Sequence, residues 1–171
     1  KTGELTREKA AMPEDLLIAA KEAAMALERV IMSNDRPPVM FNGRRHLEYP
    51  HWQTLGKFYH VSVRTMDAEV VKIGEVTGFK ARAEVIDEHT GLVIGGAEAY
   101  CMQDERNWAG KPLFQLASMA QTRAGAKALS NKFRYVAIVA GYEPTPSEEM
   151  PDEMRGQRQV AMPKTREVPK V

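Results

Sequence analysis

The stretch from Arg106 to Tyr142 carries Arg106, Lys111, Arg123, Lys127, Lys132 and Arg134 and no Asp or Glu, although the whole chain has a formal net charge of only +1. Side chains of that type, in that density, suit the binding of anions. At 100° per residue, Arg123, Lys127, Ser130 and Arg134 fall within roughly 60° of one another on an unbroken helix and form one polar stripe. Like charges so placed repel unless a polyanion lies across them, and a nucleic-acid backbone is such a polyanion. A charged stripe is also what the solvated face of an ordinary amphipathic helix looks like. Solvated faces mix signs, because Glu ahead of Lys at i,i+4 supports the helix, and this stretch has no such pair.

No catalytic constellation accompanies these cations. Gly74, Gly78, Gly91, Gly95 and Gly96 lack the Gly-Lys-Ser/Thr ending of a phosphate loop, so ATP hydrolysis is not expected. His46, Glu48 and His51 are close in sequence, but their spacing matches no standard metal site. Cys101, the one cysteine of the chain, excludes an internal disulfide framework and a multi-cysteine zinc site, and suggests a reducing compartment. Its setting, Ala99-Tyr100-Cys101-Met102, reads as a buried inert thiol rather than a nucleophile served by His60 or His89. Asp87, Glu88, Asp104 and Glu105 could hold Mg²⁺ in a small nuclease, yet acids at such positions are common as turn formers. The expectation is therefore no catalytic residue, no cofactor and no metal. A small metal-dependent nuclease and a non-DNA adaptor, whose basic helix meets an acidic protein patch, remain alternatives.

The elements that must position the cations are legible from periodicity. At 171 residues and 43% hydrophobic, the chain suits one domain with a tail. Its near-zero net charge excludes a uniformly basic, histone-like protein, so any nucleic-acid role must come from local patches. No apolar run approaches the 18 or so residues of a membrane span, and the opening Lys1-Thr2-Gly3-Glu4 lacks a Met or signal-peptide pattern. A trimmed, cytoplasmic protein with a flexible segment over 1–12 is expected.

Pro13, the acids Glu14 and Asp15, and the run Leu16, Leu17, Ala20, Ala24, Leu27 and Ile31 predict an amphipathic helix that ends by Pro37-Pro38. Val39 to Phe41, the turn pair Asn42-Gly43 and Arg44 to Tyr49 predict a β-hairpin. Pro50 to Phe58 predicts a short helix carrying Trp52. Val61 to Val71, Phe79 to Asp87 and Leu92 to Met102 predict an antiparallel meander, with turns at Ile73 to Gly78 and Glu88 to Gly91. Alternation sets Phe79, Ala81, Ala83 and Val85 against Lys80, Arg82 and Glu84, so one sheet face is polar.

Pro112 opens a long helix whose stripe Leu113, Ala117, Ala120, Ala124 and Ala128 suits close packing on a sheet. Gly125 within it suggests a close neighbour. A second helical run, Tyr135 to Ala140, stops at Gly141. Positions 143–171, rich in Pro and split into an acidic and then a basic half, read as a disordered tail. The fold class is α+β: a meander sheet with a hairpin, packed against a long basic helix, with the domain spanning 13–142. Tyr49, Trp52, Phe58 and Tyr59 could stack bases, but aromatics at this spacing beside a sheet more often fill a core.

The order helix, hairpin, Trp-bearing helix, meander and basic helix resembles the single-strand annealing proteins of the Rad fifty-two superfamily and their phage recombinase relatives. Phe41-Asn42-Gly43-Arg44-Arg45 looks like that family's first hairpin, and Tyr59 to Met102 like its curved meander. Met119-Ala120-Gln121-Thr122-Arg123-Ala124-Gly125-Ala126-Lys127-Ala128-Leu129 is similar to its basic helix, although Ser130 stands where many relatives carry another basic residue. The likeness covers Leu16 to Tyr142. It implies a phage-encoded protein of DNA recombination and repair, acting in the bacterial cytoplasm, that binds single-stranded DNA and pairs complementary strands without a nucleotide cofactor. It also implies a ring or helical homo-oligomer lined by a basic groove, working beside a single-strand binding protein or a nuclease. The residues expected to grip phosphates are Arg44, Arg45, Arg123, Lys127 and Arg134, with Lys57, Lys80, Arg82 and Lys132 as secondary contacts.

Overall fold

The computed structural model describes residues 12–34 and 38–151. Helix α1 (Pro13–Ser33) starts on a proline in its first turn, with Glu14 and Asp15 at the positive end of the helix dipole. It buries Ala20, Ala24, Leu27 and Ile31. The expected stripe is thus shorter than its sequence pattern: Leu16 and Leu17 stay exposed, because the packed surface begins only at Ala20. Strands β1 (Val39–Phe41) and β2 (Arg44–His46) form the hairpin. Its turn residues Asn42 and Gly43 have φ of 48° and 74°, the left-handed pair that a two-residue hairpin turn requires. Helix α2 (Tyr49–Phe58) follows, with Trp52 and Leu55 in the core.

The meander has four strands rather than three: β3 (Val61–Thr65), β4 (Glu69–Ile73), β5 (Val76–Asp87) and β6 (Val93–Met102). The first expected strand is interrupted after Thr65, where Met66 donates its amide to the Arg82 carbonyl at 2.8 Å. β3 and β4 then share one edge of β5, pairing Val61 with Asp87 and Glu69 with Lys80, while β6 lies along the other edge. The β4–β5 turn closes earlier than its Gly-rich sequence suggests, so Val76 to Gly78 belong to the strand. Alternation along β5 holds: Ala81, Ala83 and Val85 are buried, while Arg82 is exposed on the opposite face. The molecule is α+β.

Helix α3 (Leu113–Val139) runs unbroken across the inner face of this sheet and also contacts α1 and α2. Its buried residues, from Leu116 through Ala120, Ala124, Gly125, Ala126, Ala128, Leu129, Ser130, Phe133, Val136 and Ala137, point in every direction around a 3.6-residue turn. It is a central helix, packed over most of its circumference at mid-length. Leu113, expected to begin its packed stripe, is exposed, and Leu116 takes that place. A Cβ added to Gly125 would lie 2.7 Å from the Tyr49 ring, which is the close neighbour its helical position implied. The helix ends in a Schellman turn, with Tyr142 N–H to Ala137 O at 2.9 Å and Gly141 N–H to Ile138 O at 3.0 Å. Gly141 supplies the required positive φ of 77°.

The chain does not leave the fold at Tyr142, as the Pro-rich composition suggests. Glu143 bridges to His46, Ser147 donates its amide to Leu47 O at 3.0 Å, and the Tyr49 amide donates to Glu148 at 2.7 Å. A 3₁₀ turn, Ser147–Glu149, completes this strap. Its prolines punctuate an extended path over β2 and α2 instead of preventing one. The expected tail over 152–171 and the segment 1–11 lie outside the described residues.

Candidate functional site

Four residues of α3 are expected from spacing to form one polar stripe, and the fold gives them different surroundings. Arg123 keeps only 11% of its side-chain surface. It places Nη1 and Nη2 on the two oxygens of Glu105, at 2.8 and 2.6 Å, and donates a further 2.8 Å bond to the Tyr100 carbonyl. That carbonyl belongs to β6, the outer strand, so the guanidinium ties the helix to a strand edge. Burial pushes the Glu105 carboxyl up, but the Arg123 guanidinium and the Met102 amide outweigh it and hold the group below its usual range. Ser130 is buried, with its hydroxyl donating to Lys127 O at 3.0 Å. Arg134 is exposed and donates to Asn131 at 3.3 Å.

Lys127 is the member of the stripe that meets both acid and solvent. Its Nζ lies 3.7 Å from a Glu149 oxygen and its side chain is 44% exposed. Burial raises the Glu149 carboxyl above its ordinary value, and Lys127 and Arg123 offset only part of that. The acids missing from the sequence between 106 and 142 are therefore supplied in space, by Glu105 at its leading end and Glu149 from the strap. Between β6, α3 and the strap lies a cleft of about 380 Å³ whose charged lining is Arg106, Arg123 and Lys127 against Glu105 and Glu149. Arg106 has no acid within ion-pair distance among the described residues. It belongs to the acid-free stretch of sequence, and only the fold brings it beside Lys127.

The hairpin cations sit at the far end of α3, about 25 Å along its axis from Arg123 at 1.5 Å per residue. Arg45 has become part of the fold: it pairs with Glu28 at 3.1 Å, donates to the Ala140 carbonyl at 3.0 Å, and lies 4.2 Å from the Tyr142 ring centroid. A cation there complements the negative end of the helix dipole. Burial, reinforced by a bond to Glu28, pushes the Tyr142 hydroxyl up to about 12. Arg44, the neighbouring strand residue, points to the other face, is 70% exposed and meets Glu143 at 3.2 Å.

The secondary contacts are scattered. Lys57, near the end of α2, pairs with Glu88 at 2.9 Å. Lys80 lies 3.8 Å from Glu69. Arg82 shares the outer sheet face and is opposite Glu98 in register, with no ion pair among the described residues. Lys132 is exposed with no acid partner among the described residues. Within one chain the nine candidates do not converge on a single groove. The cleft gathers Arg123 and Lys127 and adds Arg106.

The catalytic alternatives find little geometry. Asp87 accepts the His89 and Thr90 amides at 2.9 Å each, which makes it a turn former and lowers its pKa, the Thr90 amide most. His46 bonds the Thr145 carbonyl, and His51 accepts the Glu48 amide at the start of α2, so the fold uses both. Among the described residues no three His, Cys, Asp or Glu side chains are placed to hold a metal ion. Cys101 is buried opposite Phe79, about eight strand residues, or ~25 Å, from the His60–His89 pair. Trp52 is buried, and Tyr59 stacks on Phe133 with centroids 5.1 Å apart. No family model, curated protein or solved structure matches the chain.

Proposed function

We propose that the protein binds single-stranded DNA and anneals complementary strands in homologous recombination, without ATP, through basic surfaces that copies of the chain bring together in a ring or helical filament. The observation that carries this reading is the cleft at the β6 edge, where three cations face two acids and Lys127 and Arg106 are not tightly neutralised. The burial of α3 supports single strands over duplex. A helix packed along its middle against the sheet, α1 and α2 has no continuous free face to lay in a major groove as a recognition helix does. Its solvent-accessible cations, Lys127, Lys132 and Arg134, can neutralise phosphates and leave base edges free for pairing.

Separate basic patches within one chain become a groove only through assembly. Leu17, Ile18 and Met25 on α1 and Ile138 and Val139 on α3 are exposed, and apolar surface of this kind supports a protein–protein contact. Among the described residues no helix is long and apolar enough to cross a membrane. The test is anisotropy of labelled oligo-dT across a salt series, for wild type and an Arg106→Ala/Lys127→Ala variant. Each phosphate contact contributes about 0.7 to the salt slope for single strands, so the double variant should lower the slope by about 1.4. An unchanged slope would remove the cleft from the account.

A further inference from the structure

We infer that the groove between Trp108 and Phe114 is a nucleobase-stacking site, holding an unstacked base of the same strand whose phosphates meet Arg106 and Lys111. This rests on the reading above and adds a base contact to it. Phe114 is 71% exposed, the most exposed of the large aromatic and aliphatic residues along α3. Trp108 is half-buried and packs on the hydrophobic core, so its ring is anchored from behind. Together they line a groove of about 250 Å³, whose polar contributors are Gln115, Ser118 and Thr122.

The neighbouring charges select the occupant. Arg106, two residues before Trp108, lines the basic cleft, so the Cα atoms that mark the two sites are at most about 7 Å apart. Lys111, three residues before Phe114, is exposed, and neither cation has an acid partner among the described residues. Of the acids just ahead, Glu105 is occupied by Arg123 and the Met102 amide, and Asp104 is exposed at the turn. An apolar slot between two residues that each follow such a cation by two or three positions fits a ligand that is flat and apolar at one end and anionic at the other. A nucleotide has that character, while an apolar helix from another protein would leave both cations unmatched. Stacking on such rings tolerates any base, which suits a protein that must bind strands of any sequence.

The chain has two tryptophans, and Trp52 is fully buried, so quenching of intrinsic fluorescence by oligo-dT reports on Trp108. The experiment compares wild type, Trp108→Phe and Phe114→Ala, each with oligo-dT and with an abasic strand of equal length, and records oligomeric state in parallel. The expected result is quenching in wild type that Trp108→Phe abolishes. Phe114→Ala should weaken oligo-dT binding about five- to a hundredfold and leave abasic-strand binding unchanged. Wild-type affinity of Phe114→Ala for oligo-dT would overturn the inference and leave the phosphate reading standing. Equal loss on both strands, with dissociation of the oligomer, would reassign the groove to an interface between copies. Absence of wild-type binding to either strand would overturn the DNA reading itself.

Discussion

Replacing Arg123 by Ala tests whether this arginine is first a structural residue. The substitution deletes two bonds to Glu105 and one to the Tyr100 carbonyl, and leaves a carboxylate whose side chain is only 28% exposed. Breaking a fully buried pair costs roughly 3–5 kcal/mol. The partial hydration of Glu105 reduces that to about 2–4 kcal/mol, or about 5–12 °C in Tm for a chain of this size. Urea and thermal unfolding of wild type, Arg123→Ala and Arg123→Lys measure it. The lysine should be intermediate, since it keeps the charge but cannot fork onto two oxygens. The pH dependence carries a sign. Glu105 is held below its ordinary value in the folded state, so its contribution is present above the unfolded carboxylate pKa of about 4.3 and is lost as pH falls through the folded value. The stability gap between wild type and Arg123→Ala should therefore narrow below about pH 4. An Arg123→Ala protein within about 0.5 kcal/mol of wild type at pH 7 would refute the structural role.

Gly125→Ala should lower stability by about 1–3 kcal/mol through overpacking against Tyr49, whose backbone is fixed by its bond to Glu148; Tyr49→Phe in that background should recover part of the loss in urea titrations. Glu149→Gln should tighten oligo-dT binding by about two- to fivefold at low salt, because a carboxylate 3.7 Å from Lys127 competes with phosphate for it; anisotropy titration reads this, and an unchanged affinity would show that Glu149 does not compete. Arg45→Ala should cost about 1–2 kcal/mol, from the lost helix-end contact and the uncovered Tyr142 ring. Its oligo-dT affinity, corrected for the fraction folded, should change less than that of Lys127→Ala.

Local signals carried most of the architecture. The Asn42-Gly43 pair fixed the hairpin, the alternation in β5 identified the buried face, and Gly141 marked the end of α3. Gly125 was recognisable as a close approach, though only the structure names Tyr49 as its neighbour. The candidate site was harder to read because ion pairing is a long-range property. Nothing near Arg123 in sequence indicates that Glu105 folds back onto it, and Glu149 reaches Lys127 only because the strap docks beside β2. Helical spacing correctly aligned Arg123, Lys127, Ser130 and Arg134, but spacing carries no information about what covers the stripe. The strap was missed because Pro-rich composition describes backbone preference and not the partners that Ser147 and Glu148 find. Arg45 illustrates the same limit: its basic character suggested a phosphate contact, while the fold applies it to the end of α3.

Strand annealing is the activity proposed for the assembled chain. Its most direct measurement is the rate at which two complementary labelled oligonucleotides pair, followed by energy transfer without ATP, for wild type and Arg106→Ala/Lys127→Ala. Wild type should accelerate pairing well above the spontaneous rate, the double variant should lose most of the acceleration while remaining folded, and both strands should stay intact in Mg²⁺. Pairing at the spontaneous rate with wild type, or shortening of the strands, would contradict that activity.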